Sequence, residues 1–93
     1  MEKIIKTLPR LDAANVPDFT AQMNEALEIE SVELIVDMED TNYICSSGLR
    51  VFLSTQKKLR NTGGSMIIKH VKPQIMEIFE VTGFSGILNF EYE

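Results

Sequence analysis

One cysteine and one histidine in 93 residues exclude several chemistries at the outset. Cys45 has no partner for an internal disulfide and cannot belong to a multi-cysteine metal site. His70 leaves no histidine pair for zinc and no second member for a cysteine–histidine dyad. Cys45 is expected as a small buried hydrophobe at a strand end, and His70 as a surface residue ending a strand beside Lys69 and Lys72. Positive charge is scarce as well: 9 Lys and Arg face 14 Asp and Glu, for a net charge of −5. Nucleic-acid backbones and anionic membrane surfaces both call for a basic face, so neither is an expected partner. Long apolar runs are missing. "ELIV" and "SMII" are far too short to cross a bilayer and no signal peptide opens the chain, so the cytoplasm is the expected location. There is no linker, repeat or low-complexity tract, and residues 1–93 read as a single domain.

What is present reads as alternating strands and helices. Residues 4–8 form a short β-prone segment closed by Pro9. "DAANVPDF" opens a helix: Pro17 suits its first turn, Asp18 complements its positive end, and Asn15 or Asp12 can accept backbone N–H bonds. Phe19, Met23, Ala26 and Leu27 form the apolar stripe. "VELIVDM" (residues 32–38) is nearly continuous in apolar, β-branched residues, which predicts a central strand buried on both faces. An acidic loop, Glu39 to Asn42, leads to a second helix of about four turns starting at Ser46, with Leu49, Phe52, Leu53 and Leu59 inward. Lys57, Lys58 and Arg60 suit its negative end, and "NTGG" stops it. "SMIIKHV" is a third buried-type strand. Pro73 starts a third helix with Ile75, Ile78, Phe79 and Val81 inward and Gly83 as its stop, and "ILNFEYE" is a last, alternating strand. The order β-α-β-α-β-α-β predicts an α/β fold with right-handed crossovers, a largely parallel sheet of about four strands, and about three helices mainly on one face, leaving the other face partly open.

The catalytic inventory is thin. "TGGS" lacks the length and the Lys-Ser/Thr of a phosphate-binding loop and precedes a strand instead of a helix. No G-x-S-x-G elbow surrounds the serines. Asp37, Glu39 and Asp40 lie near a strand's C-terminal end, but with no histidine or fourth ligand nearby in the sequence they read as a solvated acidic loop, with magnesium binding as the lesser alternative. No enzyme activity, metal or cofactor is expected. That leaves "YICSSGLRVFL", with two hydroxyls and a glycine at a helix mouth. A serine there can cap free backbone N–H groups. It can equally carry a phosphate, which the same N–H groups and the helix dipole would accommodate, with Gly48 keeping the approach uncrowded. No Glu or Gln stands three residues after Ser46 or Ser47, so the reciprocal capping box is absent.

At these residues the chain resembles the STAS domain family, and in particular the single-domain anti-sigma-factor antagonists of bacteria. "RLDAANVPDF" is similar to the family's entry into the first helix, and "LIVDMEDTNYICSSGLRVFL" to its central strand, loop and phosphoacceptor helix. "LRNTGGSMIIKHVKPQIMEIFEVTGF" is similar to its third strand and helix, including the Thr-Gly pair at Thr82 and Gly83. The resemblance implies a STAS-like fold. It implies that Ser46 is the phosphoacceptor, with Ser47, Gly48 and Asp12 around it. It also implies partner contacts through Asp12, Asn15, Tyr43, Ser46, Ser47, Leu49 and Arg50. Cys45 stands where the family most often has an aspartate. Family members generally carry one more strand before residues 4–8, so a smaller sheet with a more exposed edge is expected.

The implied function is a phosphorylation-controlled binding switch. Unphosphorylated, the protein would bind an anti-sigma factor of the serine-kinase, histidine-kinase-like ATPase type and so free the sigma factor; phosphorylation of Ser46 would release it. The alternative within the same family is an accessory subunit of a membrane lipid-transport ABC system, docking on its ATPase without phosphorylation. A small hydrolase using Ser46 is a third option, for which the sequence offers no base.

Overall fold

The computed structural model describes residues 1–91. Three strands, β1 (Glu2–Lys6), β3 (Glu33–Asp37) and β5 (Ser65–Lys69), make an all-parallel sheet in the order β1-β3-β5. Two further strands of two residues each, β2 (Arg10–Leu11) and β4 (Tyr43–Ile44), pair with one another in a separate parallel ribbon. The helices are α1 (Val16–Leu27), α2 (Ser46–Thr62) and α3 (Pro73–Val81), followed by a 3-10 turn at Phe84–Gly86.

Local chemistry sets the helix ends largely as expected, although the Asn15 side chain does not cap α1. α1 begins after Asn15 with Pro17 in its first turn and Asp18 at its positive end. α2 stops at Gly63, whose φ of 74° lets its N–H reach back to the Leu59 carbonyl. Gly83, at φ 82°, follows the end of α3 in the same left-handed conformation.

The α/β class, the three helices and the parallel sheet match the sequence reading, but the strands differ from it in three ways. First, β3 and β5 are buried on one face only. In β3, Leu34 and Val36 enter the core while Glu33 stays outside, and in β5 Met66 and Ile68 do so while Ser65 and Ile67 stay outside. The runs look continuous in sequence because isoleucines, Ile35 and Ile67, occupy the open face. Second, the expected last strand over residues 87–93 contributes one bridge. Phe90 pairs with Ile68 at the outer edge of β5, through Ile68 N–H to the Asn89 carbonyl and Glu91 N–H to the Ile68 carbonyl, both 2.9 Å. Tyr92 and Glu93 lie outside the described residues. Third, the first strand is β1, two residues upstream of the expected span, and residues 7–11 turn away into the β2–β4 ribbon.

The core lies between the covered sheet face and the helices. A line of rings crosses it: Phe19 to Phe52 at 5.3 Å, Phe52 to Phe79 at 5.6 Å edge-on, and Phe79 to Phe90 at 5.1 Å. Of the residues expected inside, Leu27, Leu53 and Ile78 are half-buried, and Val81 is exposed at the end of α3.

Candidate functional site

The ribbon positions the site. Residues 8–11 are laced to residues 41–45 by Thr41 Oγ1 donating to the Leu8 carbonyl at 2.7 Å, Asn42 N–H to the Pro9 carbonyl at 2.8 Å, and Cys45 N–H to the Leu11 carbonyl at 2.9 Å. Beneath this seam the hydroxyls of Thr7 and Thr41 bond each other in the interior. Asp12 and Ser46, 34 positions apart in the chain, therefore leave the same end of the ribbon.

Asp12 sits in a tight turn before α1. Its Oδ1 accepts the N–H groups of Ala14 at 3.1 Å and Asn15 at 3.3 Å, while Asn15 Oδ1 accepts the Asp12 N–H at 3.0 Å. The Asn15 amide also donates to the Arg10 carbonyl. Arg10 joins the two strands on the outside: its Nε lies 3.5 Å from Asp12 Oδ2 and its guanidinium 4.3 Å above the Tyr43 ring. The sequence reading missed Arg10, because a two-residue strand shows no alternation from which to read its neighbours.

Ser46 is the first residue of α2 and is exposed. Neither serine caps the helix. The N-cap position falls to Cys45, in extended conformation, and among the described residues the Ser46 hydroxyl has no hydrogen-bond partner. Ser47 is half-buried and its Oγ lies 3.1 Å from Cys45 Sγ. Cys45 is itself half-buried, not sealed in the core as expected. The Ser47 hydroxyl holds its thiol below the usual range; partial burial opposes this, and the backbone N–H groups of Gly48, Ser47 and Cys45 reinforce it.

Gly48 and Leu49 face inward. A Cβ on Gly48 would come within 3.1 Å of Ile44 Cγ1 and 3.6 Å of Leu11 Cβ, so the missing side chain lets α2 seat against both strands of the ribbon. Leu49 belongs to the core and offers little to a partner surface. Arg50 is exposed four residues after Ser46, hence on the same helix face, and lines a groove between α1 and α2 with Asn24, Ser54 and Lys58. The structure thus sets Asp12, Asn15, Ser46 and Ser47 where the two strands leave the ribbon, Tyr43 at the start of β4 opposite Arg10, Arg50 one turn along α2, and Leu49 beneath in the core.

A second polar group lies where β3 and β5 end. Asp37 Oδ1 accepts the Glu39 N–H at 2.9 Å and meets His70 Nδ1 at 2.9 Å, and ligand atoms of Asp37, Glu39 and His70 all fall within 4.8 Å of one another. His70 is therefore near the acidic loop in space, although 30 or so positions of chain hide this in the sequence. These three are the residues that could hold a cation. No described helix is long and apolar enough to cross a membrane.

Comparison with known proteins identifies the family. The sequence pattern described as the STAS domain matches residues 4–93. BtrV of Bordetella bronchiseptica is 31% identical over 77 residues, covering 83% of this chain and 66% of that protein, just under two thirds of its length. The anti-sigma-B factor antagonist of Listeria monocytogenes is 30% identical over 84 residues, covering 85% of this chain and 74% of that protein. Among solved structures, a STAS domain protein from Planctomyces limnophilus superposes with a TM-score of 0.85 at 17% identity, over 97% of this chain and 82% of its own. The anti-sigma factor antagonist SpoIIAA in its unphosphorylated form gives 0.82 at 22% identity, over 99% and 81%. At such identities the superpositions speak for the fold, and the sequence match, nearly end to end, speaks for descent: the chain belongs to the STAS domain family.

Proposed function

We propose that this chain is an anti-sigma-factor antagonist working as a phosphorylation-controlled binding switch. With Ser46 unmodified it binds an anti-sigma factor that is also a serine kinase of the histidine-kinase-like ATPase type, and so frees the sigma factor. Once that kinase has phosphorylated Ser46, the complex dissociates. The chain is substrate and ligand in this scheme, and performs no catalysis itself. The observation that carries the reading is the exposed Ser46 hydroxyl, without a partner among the described residues, at the head of α2 beside the Asp12 turn. The names of the Listeria and SpoIIAA proteins support an anti-sigma factor as the partner.

The electrostatics suit a switch read at an interface. A phosphate adds roughly −1.5 to −2 charges at pH 7. On Ser46 it would meet the positive end of α2, with Arg50 one turn along and Arg10 across the ribbon, while Asp12 would repel it. These effects oppose one another within the domain. A partner surface shaped around a neutral hydroxyl has no such compensation, and a desolvated, unpaired charge costs about 3–5 kcal/mol.

The test is affinity capture from the native lysate with Ser46→Ala and Ser46→Asp baits. The Ser46→Ala bait should retain a kinase-type anti-sigma factor that the Ser46→Asp bait loses. Equal capture of a transport ATPase by both would instead support the accessory-subunit role.

A further inference from the structure

β1 is an edge strand whose outer side is open. It pairs with β3 on one side, and among the described residues nothing pairs with the other. The Met1 carbonyl and the Thr7 N–H both bond to residues of β3. In a parallel ladder alternate residues turn their backbone groups to the same neighbour, so Lys3 and Ile5 also address β3. Glu2, Ile4 and Lys6 therefore present their N–H and C=O groups outward. Their side chains stand on the open face, where Ile4 is 59% exposed. Such an edge is a template for another strand unless something blunts it.

The sequence of this edge is complementary to itself. In an antiparallel pairing centred on Ile4, Ile4 meets Ile4 of a second copy and Glu2 meets Lys6, twice by symmetry. All three outward-facing residues then fall in positions that exchange both N–H···O bonds, which gives about six backbone bonds in all. The facing side chains are one apolar pair and two oppositely charged pairs, the combinations that stabilise neighbouring strands. Lys6 Nζ lies 3.4 Å from Asp40 and is 54% exposed, so an ammonium with three donors keeps this contact while reaching a second carboxylate. The row Ile4–Ile35–Ile67, already in register across the sheet, would continue into the second copy as one apolar stripe.

We propose that two copies of this chain associate through antiparallel pairing of their β1 edges, centred on Ile4, to make one continuous six-stranded sheet with two-fold symmetry. The contact is a small one, so the equilibrium belongs at the weak end, with dissociation constants of about 10 μM to 1 mM.

Sedimentation velocity across that concentration range tests the pairing on the 93-residue chain. The unmodified chain should pass from monomer to dimer as concentration rises. Ile4→Pro removes an N–H that bonds nothing within the copy, so the fold should stand by circular dichroism while the dimer disappears. Glu2→Lys and Lys6→Glu should each raise the dissociation constant about tenfold or more, because both symmetric pairs become repulsive. Mixing those two variants in equal amounts should restore dimer. One copy then carries lysine at both positions and the other glutamate at both, so each facing pair is attractive again. A chain that stays monomeric throughout, a dimer that survives Ile4→Pro, or a mixture no more associated than its components would each overturn the proposal. So would a dimer abolished by Ile67→Asp but untouched by Ile4→Pro, which would mark the open face as the contact in place of the edge.

Discussion

The Cys45 amide donates to the Leu11 carbonyl at 2.9 Å, and this bond closes the ribbon that sets Ser46 beside the Asp12 turn. α2 is thus anchored at its head to a strand 34 positions earlier in the chain, with Gly48 allowing the two to touch. An anchored helix end gives a fixed surface, so a modification there changes what a partner meets without asking the domain to rearrange.

Phosphorylated and unmodified protein should accordingly differ in binding far more than in stability. The melting temperature should move by no more than a few degrees, because the helix dipole and nearby arginines offset Asp12. Partner affinity should fall about a hundredfold or more, as a cost of about 3–5 kcal/mol at an interface implies. Calorimetry and surface-binding measurements on both forms check this; a large loss of melting temperature with unchanged affinity would contradict it.

Ser47 should govern the reactivity of Cys45. The Ser47 hydroxyl is the foremost influence lowering the thiol's pKa, so Ser47→Ala should raise it and reduce the thiolate fraction at neutral pH. The rate of alkylation by a small thiol reagent, followed from about pH 6 to 10, should shift to higher pH in the variant. Profiles that superimpose would remove the assigned role of the hydroxyl.

Asp37 should make stability fall in acid. Partial burial pushes its carboxyl up, but the Glu39 N–H, the His70 ring and the Lys6 charge outweigh this and hold it below the usual value. A folded pKa below the unfolded one favours folding above about pH 4, and the benefit is lost as pH drops through the folded value. Urea midpoints measured from about pH 6 down to 3 should therefore decline more steeply for the native chain than for Asp37→Asn. Parallel curves would rule the linkage out.

Thr41 lies in the loop its acidic neighbours suggest, but as a buried tie and not a solvated residue. Thr41→Val keeps the shape but strands the Leu8 carbonyl and leaves the Thr7 hydroxyl only the Asp37 carbonyl at 3.3 Å, and should cost about 1–3 kcal/mol. The double change with Thr7→Val should cost less than the two singles added together, because both singles lose the same Thr7–Thr41 bond. Denaturant titrations of the three variants measure both effects.

Helices were the most legible part of the sequence. Pro17, Pro73, Gly63 and Gly83 mark chain conformations that few other residues favour: α1 and α3 begin, and α2 and α3 stop, where these residues predict. β2 and β4 were invisible because two residues cannot display a period, and with them went Arg10 and the Thr7–Thr41 contact. Burial of β3 and β5 was overread because Ile35 and Ile67 mimic core residues while standing on the open face. For the site, spacing alone left Ser46 between cap and acceptor. Its nearness to Asp12 came from family resemblance, since a contact spanning two strands and a helix leaves no local trace.

Every strand ladder among the described residues is parallel, and each joins segments about thirty residues apart: Glu2 with Glu33, Arg10 with Tyr43, Glu33 with Ser65. With no hairpin to start from, each ladder must close a long loop before its first bond forms, which slows folding relative to a helical bundle of this size. A short peptide carrying the two serines would hold the right letters and lack the ribbon, the anchored helix end and the Asp12 turn. An enzyme that recognises this surface would read an assembled object, and would pass over the same stretch in a nascent, truncated or unfolded chain.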